Sequence, residues 1–326
     1  QTRDDVYVYT DEYPDLVAKD ASRATLRDAD GGINTLNLAA MGGTQHVDLS
    51  GAGLSKLNGA PFAVAPGVRI GTVIGGDGPD TLMAGSLATE LRGGPGHDVL
   101  RGGAAADVLK GGAGYEQLTG GDGDDRLVGG PGNDTLDGQL GVDRAVFEGR
   151  RFEASIQKSG VGPATQFVVS LPLSGRDTLL GVERLVFHDM SLAFDFTGHA
   201  GEVARLVGTV FGPQKLANAA FVGRWLHELD QGADLATALT RALASPDFLS
   251  LAGGQSNTQF VNTVYQNVVG RRPDPASLAH FVSLLDSGAE SQSSLALMAA
   301  GLDLVADRVG LVGLGATGLA YVEFGG

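Results

Sequence analysis

The chain has 326 residues, 43% of them apolar, which is enough for two or three domains with separate cores. Its net charge of −15 argues against nucleic-acid binding, because few cations are available to neutralise phosphates, and it suits a cation-binding protein. The absence of cysteine excludes disulfides and thiolate metal sites. The most apolar stretch, residues 295–322, is interrupted by Asp303, Asp307 and Arg308, so we predict no membrane span.

Residues 1–74 are predicted to form β-structure. The runs 6–10, 35–38 and 46–49 are strand-like or alternate polar with apolar residues, and glycines separate them as turns. We expect this N-terminal β segment to pack on the structure formed by the residues that follow it.

Residues 75–146 contain an internal repeat of nine residues. Units starting at Gly75, Gly93, Gly120 and Gly129 match the pattern Gly-Gly-x-Gly-x-Asp-x-Leu-x in full, and the four others are degenerate. Seven successive units carry leucine at the eighth position: Leu82, Leu91, Leu100, Leu109, Leu118, Leu127 and Leu136. This register predicts a solenoid with a continuous apolar core, because a flexible glycine linker would carry no leucine register.

The composition of the repeat suits calcium. Paired glycines allow tight turns that leave backbone carbonyls free to face a cation, and a carboxylate at the sixth position supplies the hard oxygen that Ca²⁺ prefers. The sixth-position carboxylates are Asp80, Asp98, Asp107, Glu116, Asp125, Asp134 and Asp143.

Three further segments follow the repeats. Residues 147–200 are predicted to form a β cap that closes the open end of the solenoid. Residues 201–310 have a helical period, and the run 225–234 recurs 56 residues later as 281–290, which predicts two related helical units packed as a pair. Residues 311–326 form a glycine-rich tail.

The nonapeptide array resembles the β-roll of RTX proteins, which are exported unfolded by type I secretion and folded by extracellular calcium. Residues 30–36 and 67–76 are similar to the region before the roll in serralysin-type metalloproteases. Residues 175–189 resemble a linker common after RTX arrays, and residues 260–274 resemble an uncharacterised helical domain of bacterial surface and secreted proteins. The resemblance implies a multidomain α+β protein: an N-terminal all-β parallel β-roll with a β cap, followed by a C-terminal all-α helical domain.

The same resemblance implies several calcium ions, each held between units n and n+2 because two units make one turn of the roll. The implied carboxylate pairs are Asp80 with Asp98, Asp107 with Asp125, Glu116 with Asp134, and Asp125 with Asp143. Asp98 with Glu116 would be a longer pair, and the pair involving Thr89 lacks one carboxylate. The implied carbonyl ligands belong to Gly75, Asp77, Gly93, Pro95, Gly102, Ala104, Gly120, Asp122, Gly129 and Pro131. Asp30 is a further candidate before the roll, together with Asp28 and with Asn34, which stands where that family usually has aspartate.

The sequence predicts no enzyme. His227-Glu228 lacks the second histidine of a zincin helix, and the nearest approach to Gly-x-Ser-x-Gly, residues 53–57, ends in leucine. We therefore expect a secreted or extracellular calcium-binding structural or interaction protein, associated with itself or with the bacterial cell surface and exported by type I secretion machinery. The alternative is the C-terminal folding and export module of a larger secreted enzyme such as a serralysin-type metalloprotease, for which Gln1 would be a cut site. A catalytic domain encoded upstream would distinguish the two.

Overall fold

The computed structural model describes residues 3–51, 53–160 and 165–323. Residues 1, 2 and 52 of the predicted segment 1–74, residues 161–164 of the predicted cap and residues 324–326 of the predicted tail lie outside this described part. The chain divides into two compact units, Gln1–His188 and Asp189–Gly326. None of the helices in the described part is long and apolar enough to cross a membrane.

The first unit is a β-roll. Its described residues include one short helix, α1 (Tyr13–Lys19), and 3₁₀ turns at Ala21–Ala24 and Arg151–Glu153. Its strands in chain order are β1 (Val6–Thr10), β2 (Thr25–Leu26), β3 (Asn34–Ala40), β4 (Gln45–Asp48), β5 (Ser55–Leu57), β6 (Ala60–Val64), β7 (Ile70–Ile74), β8 (Thr81–Met83), β9 (Glu90–Gly96), β10 (Val99–Arg101), β11 (Val108–Gly114), β12 (Gln117–Asp122), β13 (Arg126–Val128), β14 (Thr135–Leu140), β15 (Arg144–Val146), β16 (Ser155–Ser159), β17 (Gln166–Leu171), β18 (Gly175–Leu180) and β19 (Arg184–Val186).

The strands of the roll form two sheets, and from β7 to β15 successive strands alternate between them. The first sheet has the order β1-β3-β7-β9-β11-β13-β15-β19, and the second has the order β16-β17-β18-β14-β12-β10-β8-β4-β5-β6-β2. Neighbours within the repeat region pair in parallel at a separation of 18 residues, as in Leu82 with Leu100 and Leu91 with Leu109. Two nonapeptides therefore make one turn, and the predicted parallel β-roll is confirmed.

The core of the roll is the leucine register. All seven eighth-position leucines are at most 1% exposed, because each short strand directs its middle residue between the two sheets. The two rows of buried leucines continue with Ala145 in the last unit of the array, and with Leu179 and Leu185 after the array. Buried apolar side chains stacked every 18 residues are the main favourable contribution to this part of the fold.

Both ends of the roll are extended by residues outside the repeats. The N-terminal segment adds β1, β3 and β7 to the first sheet and β4 to the second. After the array, the antiparallel hairpin of β16 and β17 precedes β18, which pairs with β17 on one side and with β14 on the other. The hairpin covers the sheet edge that an open roll would otherwise expose.

The second unit is helical. It has a 3₁₀ turn at Pro213–Ala217 and an antiparallel pair of short strands, β20 (Ser191–Ala193) and β21 (Leu319–Tyr321). Its helices are α2 (His199–Val210), α3 (Ala219–Asp230), α4 (Leu235–Ala244), α5 (Pro246–Ala252), α6 (Asn257–Val269), α7 (Pro275–Asp286), α8 (Gln292–Ala300), α9 (Asp303–Val309) and α10 (Leu311–Thr317). The segment 311–326, considered a tail from the sequence, thus contributes a helix and a strand.

The two stretches of the helical unit that carry the recurring runs have a similar order of elements. The recurring runs place α3 and α7 in equivalent positions, each followed by a glycine of positive φ (Gly232 and Gly288) and a second helix, α4 or α8. The preceding helices, α2 and α6, also end before such glycines, Gly212 and Gly270. Equivalent helices contact each other, α2 with α6 and α4 with α8, so the two halves bury their apolar faces together.

Candidate metal centre

The residues at the sixth positions form two rows along the roll, which we call files, and they lie at the turns before the strands. The turns of the first file precede strands of the second sheet, and those of the second file precede strands of the first sheet. The first file consists of Gln45, Asp80, Asp98, Glu116, Asp134 and Asp177. The second file consists of Thr89, Asp107, Asp125, Asp143 and Glu183.

Each file is held together by one recurring hydrogen bond. The backbone N–H of a file residue donates to a carboxylate oxygen of the file residue one turn further on. In the second file this bond joins Asp107 N to Asp125 Oδ1 at 2.7 Å and Asp125 N to Asp143 Oδ1 at 2.8 Å. In the first file it joins Asp80 N to Asp98 Oδ1 at 2.8 Å.

The same bond joins Glu116 N to Asp134 Oδ1 at 3.0 Å. In each of the four carboxylate pairs implied by the resemblance, the two residues are therefore direct neighbours. Thr89 N donates to Asp107 Oδ1 at 2.6 Å, although threonine brings no carboxylate of its own. The pattern is interrupted between Asp98 and Glu116, because no described residue donates a hydrogen bond to either carboxylate oxygen of Glu116.

The second oxygen of several file carboxylates is buried and accepts no hydrogen bond from any described residue. These atoms are Oδ2 of Asp98, Asp125, Asp134 and Asp143 and both oxygens of Glu116. Asp80 and Asp107 differ, since their Oδ2 atoms accept the N–H of Gly76 and Gly103 at 2.7 Å. A buried carboxylate without a partner is costly, so these oxygens fit a group of positive charge.

Glycine carbonyls line the same space. A Cβ added to Gly120 would collide with Asp125 Oδ2 and with the carbonyl oxygen of Gly138, one turn further on. The corresponding Cβ on Gly93 would meet Asp98 Oδ2 and the carbonyl oxygen of Gly111. Carboxylate and carbonyl oxygens converging on one cradle are the donor set of Ca²⁺.

The position-one glycines expected as carbonyl ligands all lie beside the files. In Gly75, Gly93, Gly102, Gly120 and Gly129, an added Cβ would meet Oδ2 of the sixth residue in the same unit. The carbonyl of Gly129 accepts the N–H of Gly112 at 2.9 Å. A carbonyl oxygen has a second lone pair, so this bond leaves it able to ligate a cation.

The position-three residues lie at the outside of the turns. All five expected carbonyl ligands of this kind are exposed: Asp77, Pro95, Ala104, Asp122 and Pro131. The Pro131 carbonyl accepts the N–H of Gly114 at 3.1 Å, again from the neighbouring turn.

Burial raises the pKa of every carboxyl in the files from Asp80 to Asp143. The value is about 6 for Asp80 and about 7 for Asp125 and Asp143. Burial and the adjacent Asp134 carboxyl raise the pKa of Glu116 to about 8. Without a cation these groups therefore resist ionisation at neutral pH, and a bound divalent ion would favour their charged form.

Two family models match this chain. Residues 88–115 and 116–145 match the RTX calcium-binding nonapeptide repeat (4 copies). These matched residues of the roll are RTX calcium-binding repeats. Residues 239–301 match a domain of unknown function (DUF4214), which covers α5 to α7 in full, most of α4, and α8. No curated protein matches the chain.

The RTX repeats bind Ca²⁺, so calcium is the cofactor of this protein. An RTX array also indicates a secreted or extracellular protein. Neither matched model is a catalytic family. The buried, unbonded oxygens described above are consistent with the RTX assignment, whereas the individual ligand residues remain predictions.

The sequence reasoning missed two residues of the files, Asp177 and Glu183. Asp177 Oδ1 accepts the N–H of Asp134 at 2.9 Å, and Glu183 Oε2 accepts the N–H of Asp143 at 3.0 Å. A signal was present, because Asp177 and Glu183 are each followed two residues later by a leucine, as in the repeat. The missing glycine pairs and the intervening 30 residues hid the register.

The candidate Asp30 lies in an acidic cluster at the start of the roll. One carboxylate oxygen each from Asp5, Asp28 and Asp30 lie within 4.8 Å of one another. Asn34 donates from Nδ2 to Asp28 Oδ2 at 3.0 Å, and its Oδ1 accepts the N–H of Asp5. Asn34 thus acts as a hydrogen-bonding partner of Asp28, and metal binding by Asp30 stays a prediction.

Acidification should partly substitute for calcium in the RTX roll. Some carboxyls have a higher pKa in the folded protein than their value near 4 in the unfolded chain. Such a group stabilises the fold fully below about pH 4, and this contribution is lost as the pH rises through the folded pKa. The window for Asp80, Asp125, Asp143 and Glu116 is therefore about pH 4 to 8. We expect calcium-free protein to retain more β-structure at pH 5 than at pH 8 by circular dichroism.

The helical unit provides the internal control for this pH dependence. Hydrogen bonds from the first turns of α4 and α7 lower the pKa of the capping residues Asp234 and Asp274, so their contribution has the opposite sign. Helical signal should not rise on acidification. A β-signal that falls from pH 8 to pH 5 would contradict the expected behaviour of the roll.

Proposed function

We propose that this chain is a secreted structural or interaction protein whose RTX roll folds when it meets calcium outside the cell. In its folded form it attaches to a cell surface or associates with itself. The calcium-dependent part is supported by the buried carboxylate oxygens along both files that accept no hydrogen bond from any residue the structure describes. Each ion would compensate buried negative charge that the described residues leave without a partner.

The ligands that we assign to the ions follow the recurring hydrogen bonds. Each ion lies between two turns and takes one carboxylate from each: Asp80 with Asp98, Glu116 with Asp134, Asp107 with Asp125, and Asp125 with Asp143. Carbonyl oxygens of the position-one glycines complete these sites, since they face the same cradles. Position-three carbonyls are the other candidates, at the exposed rim of the turns.

The interaction part of the proposal is supported by apolar surface on the helical unit. Met298 and Leu302 are 54% and 50% exposed, and Leu297 and Leu304 are also exposed. Met298 and Leu302 border an apolar cavity of about 270 Å³ whose wall includes Phe260, Tyr265 and Phe281. Contiguous exposed apolar side chains are typical of interaction sites in soluble domains.

Sedimentation in millimolar calcium tests the interaction part. We expect species larger than the 33.3 kDa monomer, or calcium-dependent binding to the producing cells, over the micromolar concentration range. The double variant Met298→Glu/Leu302→Glu should reduce association or cell binding at least tenfold, because it places charge on the apolar surface.

The matched control is Leu251→Glu, which charges another exposed leucine of the same unit, 46% exposed and outside this surface. It should leave association unchanged. A calcium-folded monomer without affinity for the producing cells would reject the interaction role and favour an export and folding module of a larger secreted protein.

A further inference from the structure

The chain returns to the roll after the repeat array ends. The matched repeats stop at residue 145, and the chain then forms the hairpin of β16 and β17. It re-enters through residues 175–179, Gly-Arg-Asp-Thr-Leu, which equal positions four to eight of the nonapeptide. In the parallel pair of β14 and β18, Thr135 lies opposite Thr178 and Leu136 opposite Leu179. Asp177 therefore occupies a sixth position one turn beyond Asp134.

Contacts along the returning turn reproduce those within the array. Asp177 Oδ1 accepts the N–H of Asp134 at 2.9 Å. Gly132 N donates to the Ser174 carbonyl at 3.0 Å, and Arg176 N donates to Asn133 Oδ1 at 2.8 Å. These bonds stack residues 174–177 on residues 132–134, so the turn adopts the repeat's geometry without its glycine pair.

The carboxylates of this last turn are buried. Asp134 and Asp177 are 1% and 3% exposed, and Asp134 Oδ2 accepts no hydrogen bond from any described residue. Two neighbouring buried carboxylates, one with an unbonded oxygen, are stable together only with a compensating cation or proton.

The opposite end of the same file is built differently. There Gln45 occupies the position before Asp80, and its backbone N–H donates to Asp80 Oδ1 at 2.7 Å. Asp80 Oδ2 accepts the N–H of Gly76, so both oxygens of Asp80 have a hydrogen bond. The first file thus ends in a neutral amide at its N-terminal end and in a second buried carboxylate at its C-terminal end.

We propose that Asp134 and Asp177 form a further calcium site, which lies beyond the matched repeats and binds the returning segment to the roll. This inference rests on the proposed calcium assignment of the first file and adds one ion to it. The ligands are 43 residues apart in the chain, so the ion joins the hairpin and β18 to the array. The cap then becomes part of the calcium-dependent fold.

Calcium titration of the full chain by calorimetry, after removal of bound ions, tests the site. Asp177→Asn keeps the size of the side chain and an oxygen that can accept the Asp134 N–H, and it should bind one ion fewer than wild type. The control Asp137→Asn removes the same charge from β14, where the side chain is partly exposed and has no assigned ligand role. It should bind the wild-type number, and an Asp177→Asn variant with the wild-type number and affinities would overturn the site.

A second pair of variants covers the case in which Asp177→Asn does not fold at saturating calcium. Asp177→Glu and Asp177→Gln differ only in charge, and Glu116 already occupies a sixth position of this file. One ion fewer in the glutamine variant than in the glutamate variant supports the site, and equal numbers overturn it.

Failure of the proposed function would look different. If wild type binds no calcium, the assignment of both files fails. If Asp98→Asn loses an ion and Asp177→Asn does not, only the added site fails.

Discussion

Removal of calcium from the full chain should unfold the RTX roll and leave the helical unit folded. Residues 75–146 carry twelve acidic and five basic residues, and the file carboxylates are buried against one another. At pH 8 and without a cation, folding leaves these buried carboxylates either charged and uncompensated or protonated against the solution pH. Both states are costly, so folding without a cation is unfavourable. The glycine-rich backbone adds a large loss of conformational entropy on ordering. Metal binding and folding are then one process.

The helical unit lacks this dependence for a structural reason. Its core is a continuous cluster of buried apolar side chains that includes Phe211, Trp225, Phe248 and Phe260. In its described residues, no group of three acidic or histidine side chains is placed to hold a metal. Its stability therefore comes from apolar burial rather than from ions.

Circular dichroism and limited proteolysis measure both parts in one sample. With chelator at pH 8, we expect loss of nearly all β-signal, retention of helical signal, and a protease-resistant fragment that begins near residue 189. Return of calcium should restore the roll and its resistance. A β-signal that is unchanged after complete removal of calcium would contradict calcium-coupled folding, and loss of the helical fragment would show that the two units fold together.

Asp125→Asn should destabilise the calcium-bound roll about twice as much as Asp80→Asn. Asp125 is paired with Asp107 on one side and with Asp143 on the other, so it would serve two ions. Asp80 is paired with one carboxylate, that of Asp98, and its other neighbour is Gln45. At calcium concentrations 100-fold above Kd, each ion stabilises the fold by about 2.7 kcal/mol. The expected losses are about 5 kcal/mol for Asp125→Asn and about 3 kcal/mol for Asp80→Asn.

Denaturant unfolding at fixed calcium, with calorimetric ion counting, measures these losses. Two ions should disappear in Asp125→Asn and one in Asp80→Asn. Asp137→Asn again serves as the control, because its side chain lies outside the files. Equal ion losses in the Asp125 and Asp80 variants would contradict the register of the second file.

The repeat region was predictable because its information is local. A period of nine residues places the leucines on one side of each short strand and a carboxylate at each turn, whatever the rest of the chain does. The burial of Leu82 to Leu136 follows from that period. The pairing of Asp107 with Asp125 was implied by the resemblance to RTX β-rolls, in which two units make one turn. The switch to a helical period likewise predicted the helical character of the second unit, whereas the two related halves indicated by the recurrence of residues 225–234 stay a prediction.

Only the tertiary structure decided where the roll begins and ends. The parallel pairing of β1, β3 and β7 and the return of Asp177 and Glu183 to the files depend on contacts between distant parts of the chain. A nine-residue pattern cannot specify a partner 40 or more residues away across a hairpin, because intervening loops of very different length cost similar closure entropy. The sequence likewise identified the acidic residues. Contacts between neighbouring turns of the fold determined which of their oxygens are buried without a hydrogen bond from a described residue.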